Sequence, residues 1–346
     1  MKGLLSIDVS NEQRDTPIVF IVGCGRSGTT LLQSLMNSHP NIVATHECMF
    51  VLTLYPAFGR IRNWGKKDIL RFVEALDLMK IFSLWSLDKK ALIAELLTAS
   101  EFADYPLLCK MVYYKMRKDK KKILALIDKN PLHSIFIKKI LAIFPEARFI
   151  HLVRDPRDTV NSNIKRFNKK NTFFLARKWV GFNGKIEHMK FQIPDKVFTI
   201  LYEDMIINTE NVFRQLCNYL EVDYNTAIMN HDFRERLQRY EGLKFYERAK
   251  MIHQNLLEPI NAANIGKWKN EMSEFDRTVT EIITRKFARK YYGYDIKMVK
   301  SSMVKISLLA ILKSNIQYTL WEFFTKLRFS NLKFNIYYRK KRNLFR

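Results

Sequence analysis

Short unbroken hydrophobic runs alternate along this chain with longer stretches whose apolar positions recur at helical spacing. Ile18-Val19-Phe20-Ile21-Val22 is apolar throughout and rich in β-branched residues, which predicts a strand buried on both faces. Gly23 and Gly25 break it, and Leu31, Leu32, Leu35 and Met36 then predict a helix ending near His39-Pro40. Residues 69–97 read as helical, with Phe72, Leu76 and Met79 on one side. Ile123 to Ile127 predicts a second strand that runs into Asp128-Lys129-Asn130-Pro131, and Ile135 to Phe144 a helix stopped by Pro145. Arg148 to Val153 predicts a third strand, followed by a turn at Asp155-Pro156 and a helix through Val160 and Ile164. Val197 to Leu201 predicts a fourth strand and Glu210 to Leu220 another helix.

Strands alternating with helices predict an α/β class protein: a P-loop three-layer fold with a central parallel sheet flanked by helices. No repeat or linker divides residues 15–297. Beyond Gly293-Tyr294-Asp295 the pattern changes. Met303 to Leu312 is apolar apart from Lys305 and Ser307, and aromatic and basic residues alternate from Trp321 onward. The expected division is therefore a main domain over 1–300 and a basic, aromatic-rich helical tail over 301–346. That tail reads in two ways. It is an interfacial helix with Trp321, Phe323 and Phe324 at headgroup level and its cations on acidic lipid, or it packs on the main domain or a second subunit.

Charge narrows the partners. Fifty-nine Lys and Arg against thirty-four Asp and Glu leave a formal charge of +25. An anionic partner follows: nucleic acid, an acidic membrane surface or a polyanionic small molecule. Only the tail interleaves cations with stacking aromatics, so nucleic acid is not expected. The cluster Lys118, Lys120, Lys121 and Lys122 reads as solvated surface, and a second cluster runs from Arg339 through Arg342 to Arg346. Cys24, Cys48, Cys109 and Cys217 have neither metal-ligand nor disulfide-framework spacing, which suits a reducing compartment. Leu4 to Ile7 is too short for a signal peptide or membrane anchor. The expected location is cytoplasmic, with the tail peripheral on the inner membrane surface.

Gly23-Cys24-Gly25-Arg26-Ser27-Gly28-Thr29-Thr30 has the glycine spacing of a Walker A loop, with Thr29 where that loop carries Lys. Backbone N–H groups and the following helix N-terminus can still cradle an anion, and Arg26 supplies a guanidinium. The missing Lys argues against a P-loop kinase or NTPase. So does Arg154, which stands where such a protein would carry a strand-end Asp for Mg²⁺. Ser162 follows Arg154 by two helical turns and Arg166 by one more, so all can converge on a second phosphate. The competing role for Arg154 is an ion pair with Asp155 or Asp158. No metal is expected: His39, His133, His188 and His231 lack ligand spacing.

PIVFIVGCGRSGTTLLQSLMNSHP resembles the 5′-phosphosulfate loop of sulfotransferases that use 3′-phosphoadenosine-5′-phosphosulfate (PAPS) as donor, in the branch of tyrosylprotein and bacterial or Golgi-type enzymes. VRDPRDTVNS resembles their 3′-phosphate motif. The resemblance covers about residues 17–296. It implies that Arg26, Ser27, Gly28, Thr29 and Thr30 hold the phosphosulfate and that Arg154 and Ser162 hold the 3′-phosphate. Arg166, Tyr202, Asn261 and Lys267 are further donor contacts it implies. LYEDMIINTENVFRQLCNYLEV and PINAANIGKW are similar to the family's later segments. Glu47 in Thr45-His46-Glu47-Cys48 is implied as the base that takes the acceptor proton, with His46 as its rival. Arg26 and Lys129, the latter within DKNP, are implied to stabilise the leaving oxygen. The branch often carries a donor-contacting Ser where this chain has Ile252-His253. That departure points to a hydroxyl on a glycan, a lipid-linked group or a small molecule rather than on protein tyrosine. The remaining alternative is an anionic membrane or nucleic-acid binder acting through the tail.

Overall fold

The computed structural model describes residues 11–45, 47–79, 82, 85, 87–116, 122–167, 171–229, 260–292 and 308–330. His46, Lys118, Lys120, Lys121, His231, Ile252-His253 and the cluster from Arg339 to Arg346 lie outside the described residues. The sheet has five parallel strands: β1 (Ile18–Val22), β2 (Ile42–Thr45), β3 (Ala125–Lys129), β4 (Arg148–Val153) and β5 (Val197–Leu201), in the order β2-β3-β1-β4-β5. The helices, numbered in chain order, include α1 (Thr29–Met36), α2 (Phe50–Phe58), α3 (Lys66–Leu78), α4 (Lys89–Thr98), α5 (Tyr105–Tyr114) and α6 (Ile137–Ile143). They continue with α7 (Pro156–Phe167), α8 (Thr172–Gln192), α9 (Tyr202–Ile207), α10 (Thr209–Leu220), α11 (Trp268–Glu271), α12 (Glu274–Tyr292) and α13 (Leu308–Ser330).

β1 lies at the centre, and its alternate residues enter two separate cores. Ile18, Phe20 and Val22 pack with α2 to α6 and α8, whereas Val19 and Ile21 pack with α1, α9 and α10. This is the predicted three-layer arrangement, and it explains the unbroken apolar run: both faces of a central parallel strand are covered.

Two predicted elements differ. β2 was not anticipated, because its four residues follow the helix-stopping Pro40 closely and carry no alternation of their own. The helical stretch at 69–97 is two helices. Asp88 ends the intervening segment by accepting hydrogen bonds from the Lys90 (2.8 Å) and Ala91 (3.0 Å) N–H groups, and so starts α4. The tail is corrected in one respect. Trp321 is not on a free face; it stacks on Phe182 at 5.9 Å and meets Phe174 edge-on at 6.1 Å, both from α8. α13 crosses α8 closely. A Cβ on Gly181 would lie 2.3 Å from the Tyr318 ring.

Candidate active site

All five strands are parallel, so their C-terminal ends open on one edge of the sheet, where α/β folds place ligands. Each end delivers one of the predicted residues. The glycine-rich loop follows β1, Glu47 follows β2, Lys129 closes β3, Arg154 follows β4 and Tyr202 follows β5.

The loop after β1 is held open by backbone geometry. Gly23 has φ 139°, and a Cβ there would meet Leu152 O at 2.3 Å. Gly28 has φ 94°, and a Cβ would come within 2.5 Å of the Tyr202 ring. Arg26 also adopts positive φ, 74°, an unfavourable conformation for a bulky residue and a common one at ligand-binding loops. Two side chains that sequence reasoning missed brace the loop. Ser134 Oγ accepts from Gly23 N–H (2.9 Å) and donates to Gly23 O (3.2 Å). Asn163 Nδ2 donates to Gly25 O at 3.3 Å. The signal for Asn163 was its place beside Ser162; Ser134 carried none, because only folding brings it to the loop.

No side chain caps the N-terminus of α1, so its first N–H groups remain available to an anion. Ser27 Oγ is buried with no hydrogen-bond partner among the described residues. The space above Gly25 is open, with nothing within 4 Å of a would-be Cβ. These features fit a bound phosphate or sulfate group.

The second cluster converges on Arg154. Its guanidinium donates to Arg26 O (3.2 Å) and Asn264 O (2.5 Å), and lies 4.5 Å from the centre of the Tyr202 ring. Its Nε is buried and without a partner among the described residues. The Asp155 carboxylate takes a forked interaction from Arg157, at 2.7 and 3.1 Å. Asp158 stands 3.9 Å from Arg154 and is committed elsewhere, accepting from Gly266 N–H (2.7 Å) and Trp268 N–H (3.0 Å). Burial raises the Asp158 carboxyl above its ordinary value, a rise that Arg154 and these two N–H bonds counter. Asp158 therefore ties the 260s segment to α7.

Arg26 Nε donates to Ser162 Oγ at 3.2 Å. Burial, then the charges of Arg166 and Arg154, hold the Arg26 guanidinium below its ordinary value, with Glu47 opposing. Three guanidiniums thus share one region. Such a concentration of like charge is one that a bound anion would relieve. Arg166 itself is exposed at the end of α7. Asn261 is exposed as well, and its side chain accepts from Ala263 N–H at 3.0 Å. Lys267 is half-buried at the start of α11.

Glu47 and Lys129 are brought together by strand register. β2 and β3 pair Thr45 with Asp128, so the last residue of β3 meets the loop just beyond β2. Lys129 Nζ donates to Glu47 Oε1 at 2.8 Å and to Thr30 Oγ1 at 3.2 Å. The Lys129 side chain is 4% exposed and that of Glu47 53%, so the amine is fixed and the carboxylate faces solvent. Lys129 is therefore not a surface lysine. Of the histidines, His39 is buried against Asp223 O at 2.8 Å and His133 packs edge-on to Phe20. The four cysteines are buried and form no disulfide among the described residues. Among the described residues no group of three or more His, Cys, Asp or Glu side chains could hold a metal ion.

A family model described as "Sulfotransferase family" matches residues 17–226. The protein-tyrosine sulfotransferase of Drosophila melanogaster is 25% identical over 280 residues, covering 76% of this chain and 49% of that protein. Protein-tyrosine sulfotransferase 1 of Danio rerio is 25% identical over 291 residues, covering 82% and 73%. The chain thus spans about half the length of the first relative and nearly three quarters of the second. Among solved structures, the sulfotransferase domain of the Synechococcus PCC 7002 olefin synthase superposes with a TM-score of 0.53 at 21% identity, covering 81% of this chain and 96% of that one.

Proposed function

Because the chain belongs to the sulfotransferase family, we propose that it moves a sulfuryl group from PAPS to an acceptor hydroxyl, with Glu47 as the base. The observation that carries this reading is the Lys129 amine, shared between the exposed Glu47 carboxylate and Thr30 of the anion loop. It links a proton acceptor to an anion cradle within one hydrogen-bonded unit.

The residues divide the work as follows. The loop from Arg26 to Thr30 would hold the 5′ end of the donor through backbone N–H groups, the Ser27 hydroxyl and the α1 N-terminus. Arg154, Ser162 and Arg166 would hold the 3′-phosphate, with the Tyr202 ring packed against Arg154. Asn261 and Lys267 would close over the donor from the 260s segment, which Asp158 anchors. When bound, the donor supplies the sulfuryl group and a nucleotide leaving group. Glu47 would accept the proton of the attacking hydroxyl, while Lys129 and Arg26 meet the negative charge that develops on the departing oxygen. Sulfuryl transfer, like phosphoryl transfer, needs positioning and charge stabilisation more than covalent help.

For the acceptor we favour a glycan, lipid-linked or small-molecule hydroxyl. A second reading, a tyrosine hydroxyl in a protein, is favoured by the names of the relatives in Drosophila and Danio. Calorimetric titration with 3′-phosphoadenosine-5′-phosphate, ATP and AMP tests the donor. Binding should be tightest for the 3′-phosphorylated nucleotide, and a preference for ATP would overturn the proposal. Sulfate transfer from radiolabelled PAPS to tyrosine peptides, glycans and lipid extracts in parallel separates the acceptor readings.

A further inference from the structure

Helix α13 carries two apolar faces, and packing covers only one. Ser314, Tyr318, Glu322 and Phe329 are buried against the domain, with Trp321 on the same side. The opposite face stands in water: Leu308 is 78% exposed, Leu309 74%, Ile316 60% and Phe324 60%. At about 100° per residue, these positions with Leu312, Leu320, Phe323 and Leu327 fall within an arc of about 160° centred opposite Tyr318. The stripe runs for roughly 30 Å along the helix. Scattered exposed leucines need no explanation, but a continuous stripe of this length marks a surface that something covers.

The charge around it selects the occupant. Residues 293–346 hold twelve Lys and Arg against only Asp295 and Glu322. Glu322 faces inward, paired with Lys185 at 3.1 Å and Lys326 at 2.5 Å. Lys313 borders the stripe on one edge and Lys326 on the other, so cations flank apolar residues as on helices that lie in a membrane interface. No helix among the described residues is long and apolar enough to cross a membrane. A second copy of this chain would set the same positive surplus against itself; an anionic bilayer complements it.

We propose that α13 docks this protein on an anionic membrane surface, with the stripe from Leu308 to Leu327 in the headgroup layer and Trp321 holding the helix to the domain. The proposal stands on the exposed face and its charge, independently of the reaction catalysed.

Vesicle flotation with the full chain tests it. The protein should float with vesicles of phosphatidylcholine and phosphatidylserine, and bind vesicles of phosphatidylcholine alone much more weakly. The triple variant Ile316→Glu, Leu320→Glu, Phe323→Glu changes only exposed positions. It should keep the wild-type circular dichroism and binding of 3′-phosphoadenosine-5′-phosphate while losing vesicle partitioning by at least about tenfold. Equal flotation of variant and wild type would overturn the proposal, as would wild-type protein that stays unbound with the acidic vesicles. A wild-type dimer in solution that this variant dissolves, without vesicle binding, would assign the face to a second copy instead. Should the variant fail to fold, the wild type decides: equal binding to neutral and acidic vesicles, or none, refutes the docking.

Discussion

Replacing Arg154 with Ala perturbs two things that must be separated. The side chain is 10% exposed and holds structure as well as any ligand: it donates to Arg26 O and Asn264 O and packs on Tyr202. Losing those contacts should weaken every nucleotide alike, because the loop and the 260s segment loosen together. The part specific to a 3′-phosphate is one charge-assisted interaction, worth about 1.5–3 kcal/mol, or roughly 10- to 150-fold in affinity. A thermodynamic cycle isolates it. Calorimetry would compare 3′-phosphoadenosine-5′-phosphate with AMP on wild type and on Arg154→Ala; the difference between the two losses is the coupling of Arg154 to the 3′-phosphate. A coupling near 2 kcal/mol is expected, and Ser162→Ala should give a smaller one, about 1 kcal/mol. If both ligands lose the same factor, within about 0.5 kcal/mol, Arg154 is a structural clasp and the assigned phosphate site is wrong.

Other expected outcomes are more direct. Glu47→Gln should leave binding of 3′-phosphoadenosine-5′-phosphate unchanged, since Gln still accepts from Lys129, and should lower single-turnover transfer by about 10²- to 10⁴-fold; retained turnover would move the base elsewhere, to His46 first. Gly28→Ala places a side chain at φ 94° and 2.5 Å from the Tyr202 ring. Strain of about 1–2 kcal/mol before the clash should lower the melting temperature by several degrees and weaken donor binding, whereas Gly25→Ala, with open space above it, should keep the melting temperature. His151 is fully buried, with Nε2 bonded to Asn183 Oδ1 at 2.9 Å, and burial pushes it down from 6.5 to about 4 despite Glu187 nearby. The unfolded chain therefore takes up a proton first as pH falls. This residue's contribution is intact above pH 6.5 and is lost between 6.5 and about 4, by on the order of 3 kcal/mol. Urea titrations across that window should show the loss, and His151→Gln should flatten the slope.

The glycine-rich loop and the stretch after β4 were legible as candidate anion-binding elements because their chemistry is local. A buried strand, a glycine turn and a helix N-terminus lie within one stretch of chain, so Arg26 to Thr30 declare an anion cradle before any folding is known. Arg154, Ser162 and Arg166 likewise share one turn and one helix, so their spacing alone makes them candidates for one phosphate. Glu47 and Lys129 are different. Eighty-two residues separate them, and nothing in either segment alone reveals that they touch. The parallel pairing of Thr45 with Asp128 brings them together, through a strand, β2, that is too short to read from hydrophobic pattern.

The tail sets the same limit from the other side. Its sequence determined a helix rich in apolar and basic residues, because those preferences belong to each residue and its near neighbours. It could not determine which face is free, since α13 is apolar on both sides and periodicity points equally to each. Trp321, the side chain best suited to an interface by composition, is the one that packs inward on Phe174 and Phe182. That choice was made by Gly181 of α8, whose missing side chain lets Tyr318 approach and sets how α13 is rolled. Local sequence decided what the elements are and which ligand chemistry they can carry. Tertiary packing decided which side chains meet and which remain in water, because burial is settled only when two surfaces are brought together.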